Sequence, residues 1–185
     1  MWTLVVLLSV ISAATSWKAD ESGRPDYCKN HACPTYKVIS QTTEYEEREY
    51  PSATWLKTDA QPFISKKQML QKLQQYVMGM KIGVTVPVLK EHFYLSPGIR
   101  SLALFLPGNI GEYPAPTQSD IYLLRSPALK VYVRTFNTNR WHQEANALKQ
   151  AAPSDANKNY YYQVPYDPPW ESGTRHNEVW LIKED

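Results

Sequence analysis

Residues 45–80 read YEEREYPSATWLKTDAQPFISKKQMLQKLQQYVMGM, and within them the hydrophobic period lengthens from two residues to about 3.6. The first part holds two strand-like runs, 45–50 and 53–58, joined at Pro51-Ser52 as a hairpin. From Ile64 onward, Met69, Leu70, Leu73, Tyr76, Val77 and Met80 fall along one helical stripe. Ser65 is placed as its N-cap and Gly79 as its stop. Working outward, 36–40 precede this unit as a strand, and 84–89 and 102–106 follow it. The order then recurs: 121–125 and 129–136 form a hairpin across Ser126-Pro127, 141–151 a helix closed by Pro153, and 160–166 and 178–183 two strands. Each half reads hairpin, helix, two strands. Many strands with only two helices predict an α+β fold, a distorted antiparallel β-barrel-like sheet with two packed helices and an internal pseudo-two-fold repeat.

Residues 1–16 read as a signal peptide. Residues 2–11 are almost unbroken apolar sequence, and Ala14 and Ser16 supply small residues for cleavage before Trp17. The run is too short to span a bilayer, which takes about 20 apolar residues, so the mature chain is expected to be secreted and soluble. Residues 17–34 read as an N-terminal arm and 35–185 as one domain. The 20 Lys and Arg against 18 Asp and Glu are interspersed, so neither a nucleic-acid footprint nor a membrane-surface segment is expected.

Cys28 and Cys33 close a short segment, Cys28-Lys29-Asn30-His31-Ala32-Cys33. In an exported chain this reads as a disulfide. A metal site with His31 as third ligand lacks the fourth that structural zinc requires, so no metal is expected.

Several stretches together resemble the SOUL haem-binding protein family. They are Tyr45-Glu46-Glu47-Arg48 with Ala53-Thr54-Trp55, then Ile82-Gly83-Val84-Thr85-Val86-Pro87-Val88, then Val131-Tyr132-Val133-Arg134-Thr135-Phe136. The most specific is Tyr166-Asp167-Pro168-Pro169 followed by Arg175-His176-Asn177-Glu178-Val179-Trp180-Leu181-Ile182-Lys183. The resemblance runs from about Tyr36 to the end. It implies a barrel-like α+β fold with two-fold pseudo-symmetry. It also implies haem or another tetrapyrrole as ligand, held in a groove beside the first helix and the loop before the last strand.

On that resemblance the site is expected at Lys67, Leu70, Gln74 and Gln75 of the helix, and at Tyr166, Pro168, Pro169, Trp170 and Arg175 around the loop. Burying several hundred Å2 of porphyrin contributes on the order of 10 kcal/mol at ~25 cal/mol per Å2. Association costs ~4–15 kcal/mol, and micromolar binding needs about 8 kcal/mol net. Cations for the propionates, or a bond to iron, must therefore decide affinity. The family places basic residues early and late on the helix and after the double proline. This chain keeps Lys67 but has Gln75 and Glu171 at the other two positions, leaving Arg175 as a substitute. Where some members carry a His after the Tyr-Glu-x-Arg segment, this chain has Glu49 and then Tyr50. Tyr50 reads as strand packing, and His176 as exposed or bonded to backbone; His92 and His142 are iron donors by residue type only. Haem binding without a defined bond from protein to iron is the expectation.

No catalytic residues are expected. The chain lacks a Gly-x-Ser-x-Gly elbow, a P-loop and a His-Glu-x-x-His pair. Two other readings stay open: a secreted interaction protein with a vestigial groove, and a low-activity hydrolase of the same fold. The second helix, 143–149, lacks the repeated large apolar anchors of a groove-binding helix. No protein partner can be named from the residues.

Overall fold

Antiparallel pairing joins every strand into one sheet in the computed structural model, which describes residues 24–108 and 110–184. The expected signal peptide, and residues 17–23 of the arm, lie outside the described residues. In chain order the strands are β1 (Lys37–Gln41), β2 (Glu46–Tyr50), β3 (Ala53–Asp59), β4 (Val88–Phe93), β5 (Ser101–Leu106), β6 (Tyr122–Ser126), β7 (Leu129–Phe136), β8 (Tyr160–Pro165) and β9 (Asn177–Ile182). Helix α1 (Lys66–Gly79) lies between β3 and β4, and α2 (Trp141–Ala151) between β7 and β8. Across the sheet the order is β1-β2-β7-β9-β8-β4-β5-β3-β6.

That order corrects the two expected hairpins. β2 pairs with β1 and β7, whereas β3 pairs with β5 and β6. Likewise β6 does not pair with β7. A two-residue hairpin needs left-handed backbone in its turn, and none of Pro51, Ser52, Pro127 or Ala128 has it. These links do something else. β2 and β3 stand six places apart in the strand order, about 29 Å across a flat sheet at ~4.8 Å per strand. Two linking residues reach no more than about 11 Å. The link from β6 to β7 spans the same six places. The sheet must therefore curl until its ends face one another, and both short links cross the seam of the resulting half-barrel.

The curl gives the sheet a concave and a convex face, and strand alternation assigns side chains to each. Both helices pack on the convex face. Met69, Leu73 and Val77 of α1 bury against Leu56, Leu102, Leu104 and Leu106. Ala145 and Leu148 of α2 bury against Tyr132, Tyr161, Val179 and Leu181. On the concave face Tyr27, Cys28 and Cys33 of the arm pack among Tyr50, Val131, Val133, Val164, Tyr166 and Trp180. β5 is buried at every position because it is covered from both sides.

Helix α1 starts as expected. The Ser65 hydroxyl accepts from the Gln68 N–H while the Gln68 side chain accepts from the Ser65 N–H, a reciprocal cap worth about 1 kcal/mol. Gly79 is the last helical residue rather than the stop; Lys81, at φ 55°, turns the chain. The strand expected at 84–89 begins only at Val88, because Pro87 has no N–H to give a ladder. Residues 82–87 are thereby left as extended backbone beside the end of α1.

Candidate ligand-binding trough

Two stripes leave α1. Met69, Leu73 and Val77 point down into the sheet, while Leu70, Gln74 and Met78, set four residues apart, face sideways. The sideways stripe forms one wall of an open trough of about 440 Å3. Residues 82–86 continue that wall, Val88, Lys90 and Leu104 form the floor, and Pro165, Asp167, Pro168, Pro169 and Trp170 form the opposite wall. The volume falls within the ~300–1,000 Å3 of small-molecule sites. Large apolar side chains stand open at its mouth: Met78 is 67% exposed, Trp170 65% and Val84 43%. A second cavity, about 100 Å3 on the concave face between Tyr50, Trp55, Leu89 and Trp180, is smaller than the ~150 Å3 void that holds a benzene and cannot admit a macrocycle.

The expected Cys28–Cys33 disulfide is present, with its Cα atoms 6.2 Å apart, and its loop supports both rims of the trough from behind. On one side Lys29 Nζ bonds Asp167 Oδ1 at 2.6 Å and Glu171 Oε2 at 2.7 Å, and His31 Nε2 meets Glu171 Oε1 at 2.5 Å. On the other, the Val86 N–H donates to the Ala32 carbonyl at 2.9 Å, and Ala32 bridges Thr85. Glu171 is thus a tie to the arm. The double-proline loop is further shaped by Arg175, whose guanidinium donates to the Pro168 carbonyl at 2.8 Å and the Asp167 carbonyl at 3.3 Å. The His176 N–H donates to Asp167 Oδ2 at 2.6 Å.

Behind the loop, on the concave face, lies a buried ionic cluster. Arg48 donates to Glu178 at 2.9 Å, and Glu178 also accepts from Trp180 Nε1 and meets His176 Nε2, both at 2.7 Å. Arg48 and Glu178 are 1% and 0% exposed. Burial alone would raise the Glu178 carboxyl; Arg48 and His176 override it and bring it down to about 2. Tyr27 stacks on His176 at 3.6 Å, fixing the arm to the cluster. His176 is therefore neither exposed nor held by backbone alone, a correction explained by its carboxylate partner.

The expected site residues divide. Leu70, Gln74, Pro168, Pro169 and Trp170 line the trough. Lys67 is exposed one turn before Leu70 and outside the lining. Gln75 is exposed and accepts from Gln118 at 3.5 Å. Arg175 holds the loop. Tyr166 is buried in the concave cluster, where burial raises its pKa and its hydroxyl finds no partner. Tyr50 lies on that same concave face, 4.7 Å from Trp180 and bonded by Arg48. His92 bonds the Gly98 carbonyl and stacks on Tyr161, and His142 is exposed on α2. No His, Cys or Tyr lines the trough. The residue missed by sequence reading is Lys90. Its signal was the alternation Val88, Lys90, His92, which becomes visible only once the strand is started after Pro87.

The described residues thus form an α+β half-barrel with helices on its convex face and a largely apolar trough beside the first of them. The chain belongs to the SOUL family: the family model described as SOUL heme-binding protein matches residues 31–182. Proteins of this family are non-catalytic haem carriers, and no group of three or more His, Cys, Asp or Glu that could hold a metal occurs among the described residues. Heme-binding protein 2 of Mus musculus is 28% identical over 92% of this chain and 85% of its own length. Heme-binding protein 2 of Homo sapiens is 26% identical over 91% and 85%. Among solved structures, the EcmrR–DNA complex matches with a TM-score of 0.52 at 11% identity, over 81% of this chain and 58% of that one, a likeness of fold alone.

Proposed function

We propose that this chain is a secreted binding protein for haem or a related tetrapyrrole, which lies in the trough between α1 and the double-proline loop with weak or no bond from protein to iron. One observation carries the reading: the Leu70–Gln74 stripe and the Pro168-Pro169-Trp170 loop face each other across an unfilled apolar gap. Opposed, largely apolar walls over a floor of Val88, Leu104 and the single cation Lys90 suit a flat ring, and the donor set suits one bound without an axial ligand. Met78 alone brings a thioether to the lining, a soft donor poorly matched to ferric iron. Family membership supports the ligand class.

The closed Cys28–Cys33 bond supports export, since disulfides persist in oxidising compartments. The longer coverage by the haem-binding protein 2 relatives, 92% of the chain against 76% for a haem-binding protein 1 of Xenopus laevis, supports a likeness to that branch. A pseudo-two-fold repeat, without its hairpins, fits the strand order: β3-β5-β4 and β7-β9-β8 mirror one another about the middle of the sheet. In this reading residues 35–185 carry the site and the arm braces it.

Titrating haemin and iron-free protoporphyrin IX, followed by tryptophan quenching and the Soret band, tests the function. Micromolar binding of both, within about threefold of each other, is expected. No binding of either refutes the proposal, and a large preference for haemin refutes its ligation-free form.

A further inference from the structure

We propose that Lys90 receives the carboxylate edge of the ligand, so that the trough selects acidic tetrapyrroles over their esters and fixes the direction in which they lie. This rests on the function proposed above and adds to it a specificity-determining residue.

Lys90 is half-buried in the floor of the trough, on the convex face of β4. Its neighbours across the ladders are Leu102 of β5 and Gln163 of β8. From α2 it meets the ring of Trp141, whose centroid is 5.6 Å from the ammonium. From α1 the charge of Lys66 acts on it, and His92 is the titratable group two residues along its own strand face. No carboxylate pairs with Lys90, Lys66 or Lys67 among the described residues. Glu91 points to the concave face, where it accepts from Arg100 and Ser101, both at 2.7 Å. Asp167, in the opposite wall, is already held by Lys29 and the His176 N–H.

A buried cation without a counter-ion is costly, and the protein tolerates this one at the edge of a cavity open to solvent. Burial, and then Lys66, push the Lys90 ammonium down to about 8. An arriving carboxylate would offset both effects by placing an opposite charge against the ammonium. Lys66 opens α1 and its charge reaches Lys90, whereas Met78, Val84 and Trp170 stand exposed at the mouth. A ligand with acids on one edge and hydrocarbon on the other is thereby oriented. Burial lowers the pKa of His92, and its Nδ1 is engaged by the Gly98 carbonyl at 2.8 Å.

The test compares protoporphyrin IX with its dimethyl ester on the native protein, on Lys90→Met and on Lys66→Glu, with a thermal melt to show that each variant is folded. The native protein should hold the acid about tenfold more tightly than the ester, the worth of a charged hydrogen bond. Lys90→Met should remove that preference, so that acid and ester bind alike, and Lys66→Glu should weaken the acid more than the ester. Raising the pH from 7 to 9.5 should weaken the acid in the native protein and not in Lys90→Met. Equal affinity of the native protein for acid and ester overturns the inference while leaving the proposed function standing. Binding of neither removes both.

Discussion

The Arg48–Glu178 cluster and the Lys90 trough lie on opposite faces of one sheet, and each takes charge out of water in a different way. On the concave face, cation and anion meet at 2.9 Å and every oxygen of Glu178 has a donor. On the convex face Lys90 has an aromatic ring, a second lysine and an empty gap. A satisfied buried charge marks structure, because nothing remains for a ligand to complete. An unsatisfied one beside a cavity marks a site. The contrast also explains why Tyr50 and His176, attractive as iron donors by type, are bound into the cluster, whereas a lysine in the floor carries the ligand chemistry.

The sharpest way to break this comparison is to remove one charge from each side. Arg48→Met strands Glu178 and should cost ~3–5 kcal/mol, lowering the melting temperature by roughly 10 °C. Lys90→Met should leave stability unchanged or raise it. Thermal melts of the two variants check this, and equal losses would erase the distinction. Acid should act on the same cluster. The folded Glu178 carboxyl lies near 2, below its unfolded range of about 4.3. Its contribution is therefore complete above about pH 4.5 and declines as pH falls from there through 2. A denaturant midpoint followed over pH 2–6 should show this decline, and Arg48→Met should flatten it.

Between the two regions stands the disulfide loop, which touches both. Replacing Cys28 and Cys33 by Ser should cost about 2 kcal/mol of stability for so short a loop and loosen both rims, weakening protoporphyrin binding several-fold. Undiminished affinity in a folded variant would show that the rims hold without it. Trp170→Ala should lower affinity by about tenfold, the scale of one aromatic contact, with no change in the melt. The smallest effect is expected for Lys29→Ala, a change of roughly twofold in affinity, because its pairs with Asp167 and Glu171 start from an exposed lysine and such pairs contribute about 0–1 kcal/mol each.

What could be read from the sequence was local. The start of α1 was legible because Ser65 and Gln68 lie within one turn of each other, and the limits of α2 because its apolar period ends at Pro153. Leu70 and Trp170 were expected at the site from the groove that the resemblance implies, and both line the trough. The hairpins were misread because Pro51-Ser52 and Ser126-Pro127 look like turns, while strand adjacency here is decided across a seam far away in the chain. The Arg48–Glu178 pair joins residues 130 apart, which no local pattern reveals. Lys67 and Gln75 were placed by likeness of position along the helix. Which of those positions face the gap depends on how α1 rotates as Met69, Leu73 and Val77 bury, and that is a property of the packed sheet.

The most direct test of the account is a crystal structure of the protein with protoporphyrin IX bound. The ring should lie between Leu70 and the Pro168-Pro169-Trp170 loop, with its carboxylates toward Lys90 and no side chain approaching the metal position of the macrocycle. A ring bound on the concave face, or anywhere that leaves this gap empty, would contradict it.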